Sequence, residues 1–216
     1  MKTSILTPFE PLPYFTIEGF RQAAGMDSPA QARLLLHRWA GSGHILPLKK
    51  GVYMTRRFYE LNHAEAAFTS AVSAILLPQS YVSLEFILQR HNLLTEVTYP
   101  LTAVTPRNTR RIVNRLGTFW YRNLRAELYH GFTILEYFGI RYAEASPAKA
   151  LFDYLYLRPL GAAVRRTGLD LAEELRLNLD EFPAEGREEF RRLVEGAAAP
   201  KMERVYENLR RTVWQP

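Results

Sequence analysis

The chain has no cysteine in its 216 residues, which excludes disulfide staples, thiolate nucleophiles and thiolate metal sites. It has no uncharged run approaching the ~18 apolar residues of a membrane span. The opening stretch from Met1 to Phe15 carries Pro8, Pro11 and Pro13 but neither a long apolar core nor a small-residue cleavage pattern. A cytoplasmic protein is therefore expected, with no membrane partner. The phosphate-cradling and nucleophile-elbow motifs, P-loop, G-x-G-x-x-G and G-x-S-x-G, are all missing. His37, His44, His63, His91 and His130 lack metal-ligand spacing. Glu144 and Lys149 do not supply the closely placed carboxylates that a Mg²⁺-dependent nuclease needs, and Lys149 is expected at the surface. Neither a cofactor nor a metal is expected, and the chain is read as a non-enzyme.

What the chain does have is an ordinary apolar share, 47%, enough for a real core, and a net charge of +6 that is unevenly spread. Residues 1–60 carry eight Lys and Arg against four Asp and Glu, and residues 61–160 carry ten against seven. Residues 161–216 carry ten against eleven, so the excess lies in the first two segments. A basic N-terminal segment suits a polyanionic partner.

The first sixty residues read as helix, tight turn, helix and basic hairpin. Thr16 is a cap for a helix that buries Ile17, Phe20 and Ala24 and ends at Gly25. Ser28-Pro29 starts a second helix, with the proline in the first turn where its missing N–H is harmless. At 100° per residue, Ala32, Leu35, Leu36 and Trp39 share an inner face. Gln31, Arg33, Leu34, His37 and Arg38 point the other way. Ile45–Leu48 and Val52–Met54 flank Lys49-Lys50-Gly51 as a hairpin, with Pro47 marking an edge strand. This order is the plan of a winged helix-turn-helix, which lays its second helix in the DNA major groove. Gln31, Arg33, His37 and Arg38 are the candidates for that groove. Lys49 and Lys50 at the hairpin tip are candidates for phosphates or a minor groove, and Ser28, Arg56 and Arg57 are further DNA-binding candidates.

A boundary is expected near residues 58–65, giving a DNA-binding domain over 1–60 and a second domain over 61–216. In the second, an alanine-rich helix over 63–77 stops at Pro78, with His63 at its start. Another helix carries Leu84, Ile87 and Leu88. Leu101–Thr105, Arg111–Val113, Thr118–Arg122 and Phe132–Ala143 read as strands of one antiparallel or mixed sheet. Ser146-Pro147 repeats the cap-then-proline signal before a helix with Ala148, Leu151, Phe152 and Leu155 on one face. Two amphipathic helices follow Pro183. The fold class is α+β, a winged helix-turn-helix followed by a sheet flanked by helices. Arg107, Arg110, Arg111 and Arg115, beside Phe119, Trp120 and Tyr121, make a second basic surface. Period-2 alternation gives the same pattern in a strand with a charged outer and an aromatic inner face.

Three segments carry a resemblance. Leu34-Leu35-Leu36-His37-Arg38-Trp39 followed by Gly43-His44-Ile45-Leu46-Pro47-Leu48-Lys49-Lys50-Gly51-Val52-Tyr53 resembles the start of AbiEi-type antitoxins. Tyr81-Val82-Ser83-Leu84 with Arg90-His91-Asn92-Leu93-Leu94 resembles the helix that follows there. Ala145-Ser146-Pro147-Ala148-Lys149-Ala150-Leu151-Phe152-Asp153 is similar to the family's "A-x-P-x-K-A-L-x-D" segment. The resemblance covers about residues 14–158; the tail after Leu160 matches no family motif. It implies a type IV toxin–antitoxin system of phage defence by abortive infection. The winged helix would bind an inverted-repeat operator in double-stranded DNA and repress its own operon. The C-terminal domain would counter a nucleotidyltransferase toxin of AbiEii type. The alternatives are a free-standing transcriptional regulator without a toxin and a protein-interaction module.

Overall fold

Thr16 closes a two-residue strand and opens the first helix. In the computed structural model, which describes residues 3–95, 100–160 and 169–214, its hydroxyl accepts a hydrogen bond from Gly19 N at 3.0 Å. Strand β1 (Phe15–Thr16) leads into α1 (Ile17–Ala23), and a turn through Gly25, at φ 63°, leads to α2 (Pro29–Gly41). Ser28 caps α2 by accepting from Gln31 N at 3.4 Å, with Pro29 in the first turn. Strands β2 (Ile45–Lys49) and β3 (Val52–Thr55) make the hairpin, and β1 adds to β3 in an antiparallel sheet of order β1-β3-β2. Pro47 therefore sits on an edge strand, where its missing N–H breaks no ladder.

A small core forms where α1 and α2 meet. Phe20, Ala32, Leu36, Trp39 and Ile45 are buried with Phe9 and Phe15, and Phe20 meets Trp39 edge-on at 5.6 Å between ring centroids. Each large side chain sealed there contributes about 1.5–3 kcal/mol. Leu35 is only half-buried, because it lies at the margin of the apolar stripe.

The hairpin has two loyalties. Ile45 belongs to this small core, whereas Leu46, Leu48, Met54 and Phe58 belong to the larger one. The chain crosses the expected boundary without a linker. Thr55 caps α3 (Arg56–Asn62) by accepting from Phe58 N at 3.1 Å. The helix expected over 63–77 is shorter, α4 (Phe68–Leu76), and His63 ends α3 rather than starting a helix. Asn62 Nδ2 donates back to Phe58 O at 2.7 Å, a local bond that favours stopping.

The larger sheet is mixed, of order β6-β7-β5-β4-β9-β8. Its strands are β4 (Tyr81–Val82), β5 (Leu101–Thr105), β6 (Arg110–Asn114), β7 (Gly117–Asn123), β8 (Phe132–Tyr137) and β9 (Ile140–Ala145). β5–β7 and β4–β9 run parallel. Val82, Ala103 and Tyr121 are register partners on the face under α4, where the Tyr121 hydroxyl donates to Ser73 O at 2.9 Å. Tyr81, Val104 and Arg122 are partners on the other face, against α5 (Glu85–Arg90) and α6 (Pro147–Leu157). Beyond α6 lie α7 (Leu171–Glu174), α8 (Ala184–Ala197) and α9 (Pro200–Thr212), with Phe190 and Trp214 packed at 5.5 Å. The start of the charge-balanced tail, 161–168, lies outside the described residues. The protein is thus α+β. No helix among the described residues is long and apolar enough to cross a membrane.

Candidate nucleic-acid interface

The outer face of α2 carries Gln31, Arg33, Leu34, His37 and Arg38, all exposed. The inner face is held by Ala32, Leu36 and Trp39, so the rotation of the helix, and hence the direction of the cations, is set by packing. Among the described residues no hydrogen bond or ion pair engages the side chains of Arg33, His37 or Arg38. Ser28 is half-buried and spends its hydroxyl on the cap.

The hairpin turn differs from expectation at one residue. Lys49 does not project beside Lys50. Its Nζ donates to the carbonyl oxygens of Ile75 at 2.6 Å and Leu76 at 3.2 Å, at the C-terminus of α4. The last carbonyls of a helix have no intrahelical partner and carry its negative dipole end, so an ammonium is favoured there. Burial pushes the Lys49 amine below its ordinary range. Lys50 is exposed, next to Gly51 at φ 76°, where the tight turn favours glycine. Arg56 and Arg57 open α3 and are both exposed. Arg56 pairs with Glu60 at 3.0 Å, an exposed pair of little energetic weight.

The second basic surface lies on and beside β6, an edge strand that carries Arg110 and Arg111. Arg107, Arg110, Arg111 and Arg115 are all exposed. Arg107 is engaged locally, its Nε donating to Gln79 Oε1 at 2.6 Å. Alternation holds on β7, where Phe119 and Tyr121 are buried and Trp120 faces out. Asn114 Nδ2 donates to Leu48 O at 3.1 Å, which brings the β6–β7 turn and Arg115 beside the hairpin. Sequence reasoning missed Asn114, since nothing local marks a contact 66 residues away.

Lys149 corrects another expectation. It is fully buried, not at the surface, and so is Asp153. Its Nζ donates to Asp153 Oδ1 at 2.6 Å and to Leu128 O at 3.0 Å. The hydroxyls of Tyr81 and Ser83 each donate to Asp153 Oδ2 at 2.8 Å. Burial pushes the Asp153 carboxyl up, against the pull of Lys149 and both hydroxyls. Burial and the neighbouring carboxylate push the Tyr81 phenol up as well. Each of these side chains has a hydrogen-bond partner among the described residues, and together they tie α6 to β4. Glu144 instead holds Arg90 at 2.7 Å and accepts from Ser70 Oγ at 2.6 Å. Among the described residues no three His, Asp or Glu gather in a metal-binding group.

No protein-family model matches the chain, and no curated protein matches it.

Proposed function

We propose that residues 1–60 form a winged helix-turn-helix that binds double-stranded DNA, with α2 in the major groove and the β2–β3 hairpin as the wing. The observation that carries this reading is the outer face of α2, where Gln31, Arg33, His37 and Arg38 stand together in solvent. Arginine offers two donors to guanine, and glutamine a donor and an acceptor to adenine, so these side chains suit base edges. Lys50 and Arg57 suit phosphates, which need charge rather than fixed geometry. The first-turn amides beside Ser28 favour a phosphate oxygen. Repression would be steric, through an inverted repeat upstream of the protein's own reading frame.

The test is a gel-shift titration with that upstream DNA. Arg33→Ala is expected to weaken specific binding by roughly 1–3 kcal/mol, the size of a good base contact. Unchanged affinity removes Arg33 from the groove. The antitoxin role is supported by the resemblance to AbiEi-type proteins. Growth rescue on co-expression with a neighbouring nucleotidyltransferase tests it, and failure to rescue leaves a free-standing regulator. One observation favours a protein partner instead: Leu34, on the same face, is 52% exposed. Binding insensitive to salt would select that reading.

A further inference from the structure

Leu34 stands on the crest of α2, and the polar contacts to bases and phosphates leave it without a task. At 100° per residue, the buried side chains Ala32, Leu36 and Trp39 centre on one direction of the helix. Ala30 and Leu34 lie nearly opposite that direction, one turn apart. Both are exposed, Leu34 at 52%, and Leu34 joins neither of the two cores. Exposed polar side chains flank this crest, with Arg33 and His37 on one side and Gln31 and Arg38 on the other.

A single exposed leucine calls for no explanation on an ordinary surface. Here its place supplies one. The body of the protein lies behind Leu36 and Trp39, so a groove that takes up α2 meets Ala30 and Leu34 first. The alanine methyl is short, and Leu34 reaches further. Neither side chain donates or accepts a hydrogen bond. A base amino group or carbonyl pressed against Leu34 loses water and gains no partner, which is costly. The apolar group that unmodified DNA offers in the major groove is the C5 methyl of thymine; the other features that tell its base pairs apart are donors and acceptors.

We infer that Leu34 is a specificity-determining residue that packs on the C5 methyl of a thymine, beside the bases reached by the flanking arginines. The inference rests on the DNA-binding reading of α2 and adds to it a base that no hydrogen bond selects. It also accounts for the exposure of Leu34 without a protein partner. The same methyl is presented by 5-methylcytosine in modified DNA.

The test starts from a duplex that the full-length protein enriches from a random pool. That duplex is amplified with dTTP, with dUTP in its place, and with 5-methyl-dCTP in place of dCTP, and each product is titrated in gel shifts. Uracil lacks only the thymine methyl, so the wild-type protein is expected to bind the uracil duplex at least about four-fold more weakly, the worth of one buried methyl group. Leu34→Ala is expected to weaken binding to the thymine duplex and to remove that factor, with an unchanged salt slope because no charge is lost. The variant keeps the fold, since Leu34 is exposed and alanine is the best helix former. Arg33→Ala is expected to weaken both duplexes and to retain the factor. No loss on uracil, or a loss that Leu34→Ala leaves intact, overturns the inference while the DNA-binding reading stands. Tighter binding of the 5-methylcytosine duplex with no loss on uracil overturns thymine in favour of the modified base. Failure to enrich any duplex overturns the DNA-binding reading and this inference with it.

Discussion

Lys149→Met leaves the Asp153 carboxylate sealed from water with only the Tyr81 and Ser83 hydroxyls as donors. Uncovering a buried charge in this way costs about 3–5 kcal/mol. Lys149→Met combined with Asp153→Leu removes both charges and is expected to lose less than the single variant. A double-mutant cycle by urea denaturation measures the difference, and simply additive losses contradict the pairing. The pair was visible in the sequence as a lysine and an aspartate four apart on a helix. Such pairs usually lie in solvent, and the apolar stripe Ala148, Leu151, Phe152 and Leu155 indicated a single buried face. Phe152 of that stripe meets Phe190 of α8, whereas Lys149 and Asp153 are sealed on the sheet side by Tyr81, Ser83 and Leu128, distant residues that no local pattern attaches to the helix. The outer face of α2 was legible because Ala32, Leu36 and Trp39 fix its rotation from within the helix itself.

Among the elements, the hairpin separates two lysines that are neighbours in sequence. Lys49 caps α4, so Lys49→Ala is expected to lower stability by about 1 kcal/mol and to leave the salt dependence of DNA binding alone. Lys50→Ala is expected to do the reverse, flattening the log–log salt slope by about one unit at unchanged stability. Denaturation midpoints and gel shifts at several salt concentrations check both. The same slope change for both variants would contradict the α4 contact. Caps were the best-read features. Thr16, Ser28 and Ser146 all accept the bond their positions imply, because a cap depends on only three or four residues. Helix extent over 63–77 was misread, because alanine content says nothing about where Asn62 turns its amide. β5 was read to the residue from its β-branched run.

For the whole molecule, the shared hairpin decides cooperativity. An isolated 1–60 fragment would expose Leu46, Leu48, Met54 and Phe58, which pack in the larger core. Unfolding is therefore expected as one transition. Trp39 reports the small core and Trp214 the C-terminal helices. In the unaltered protein, tryptophan fluorescence and far-ultraviolet circular dichroism should give coincident midpoints. Separate midpoints would mean independent domains. The α+β class followed from strand and helix signals along the chain, which left the sheet antiparallel or mixed. The strand order did not, since β4 pairs with β9 across some sixty residues, and such pairing is set by the packing of α4 and α6 on the two faces.

The six-strand sheet ends on two unlike rims. β6 lines one with Arg110 and Arg111, whose like charges repel the matching edge of a second copy. β8 forms the other, where Ile134 is 54% and Leu135 38% exposed and Glu136 is the one ionised side chain of the strand. The first rim is guarded against accidental strand addition, and the second is the flank from which crowding or partial unfolding would start to recruit other chains.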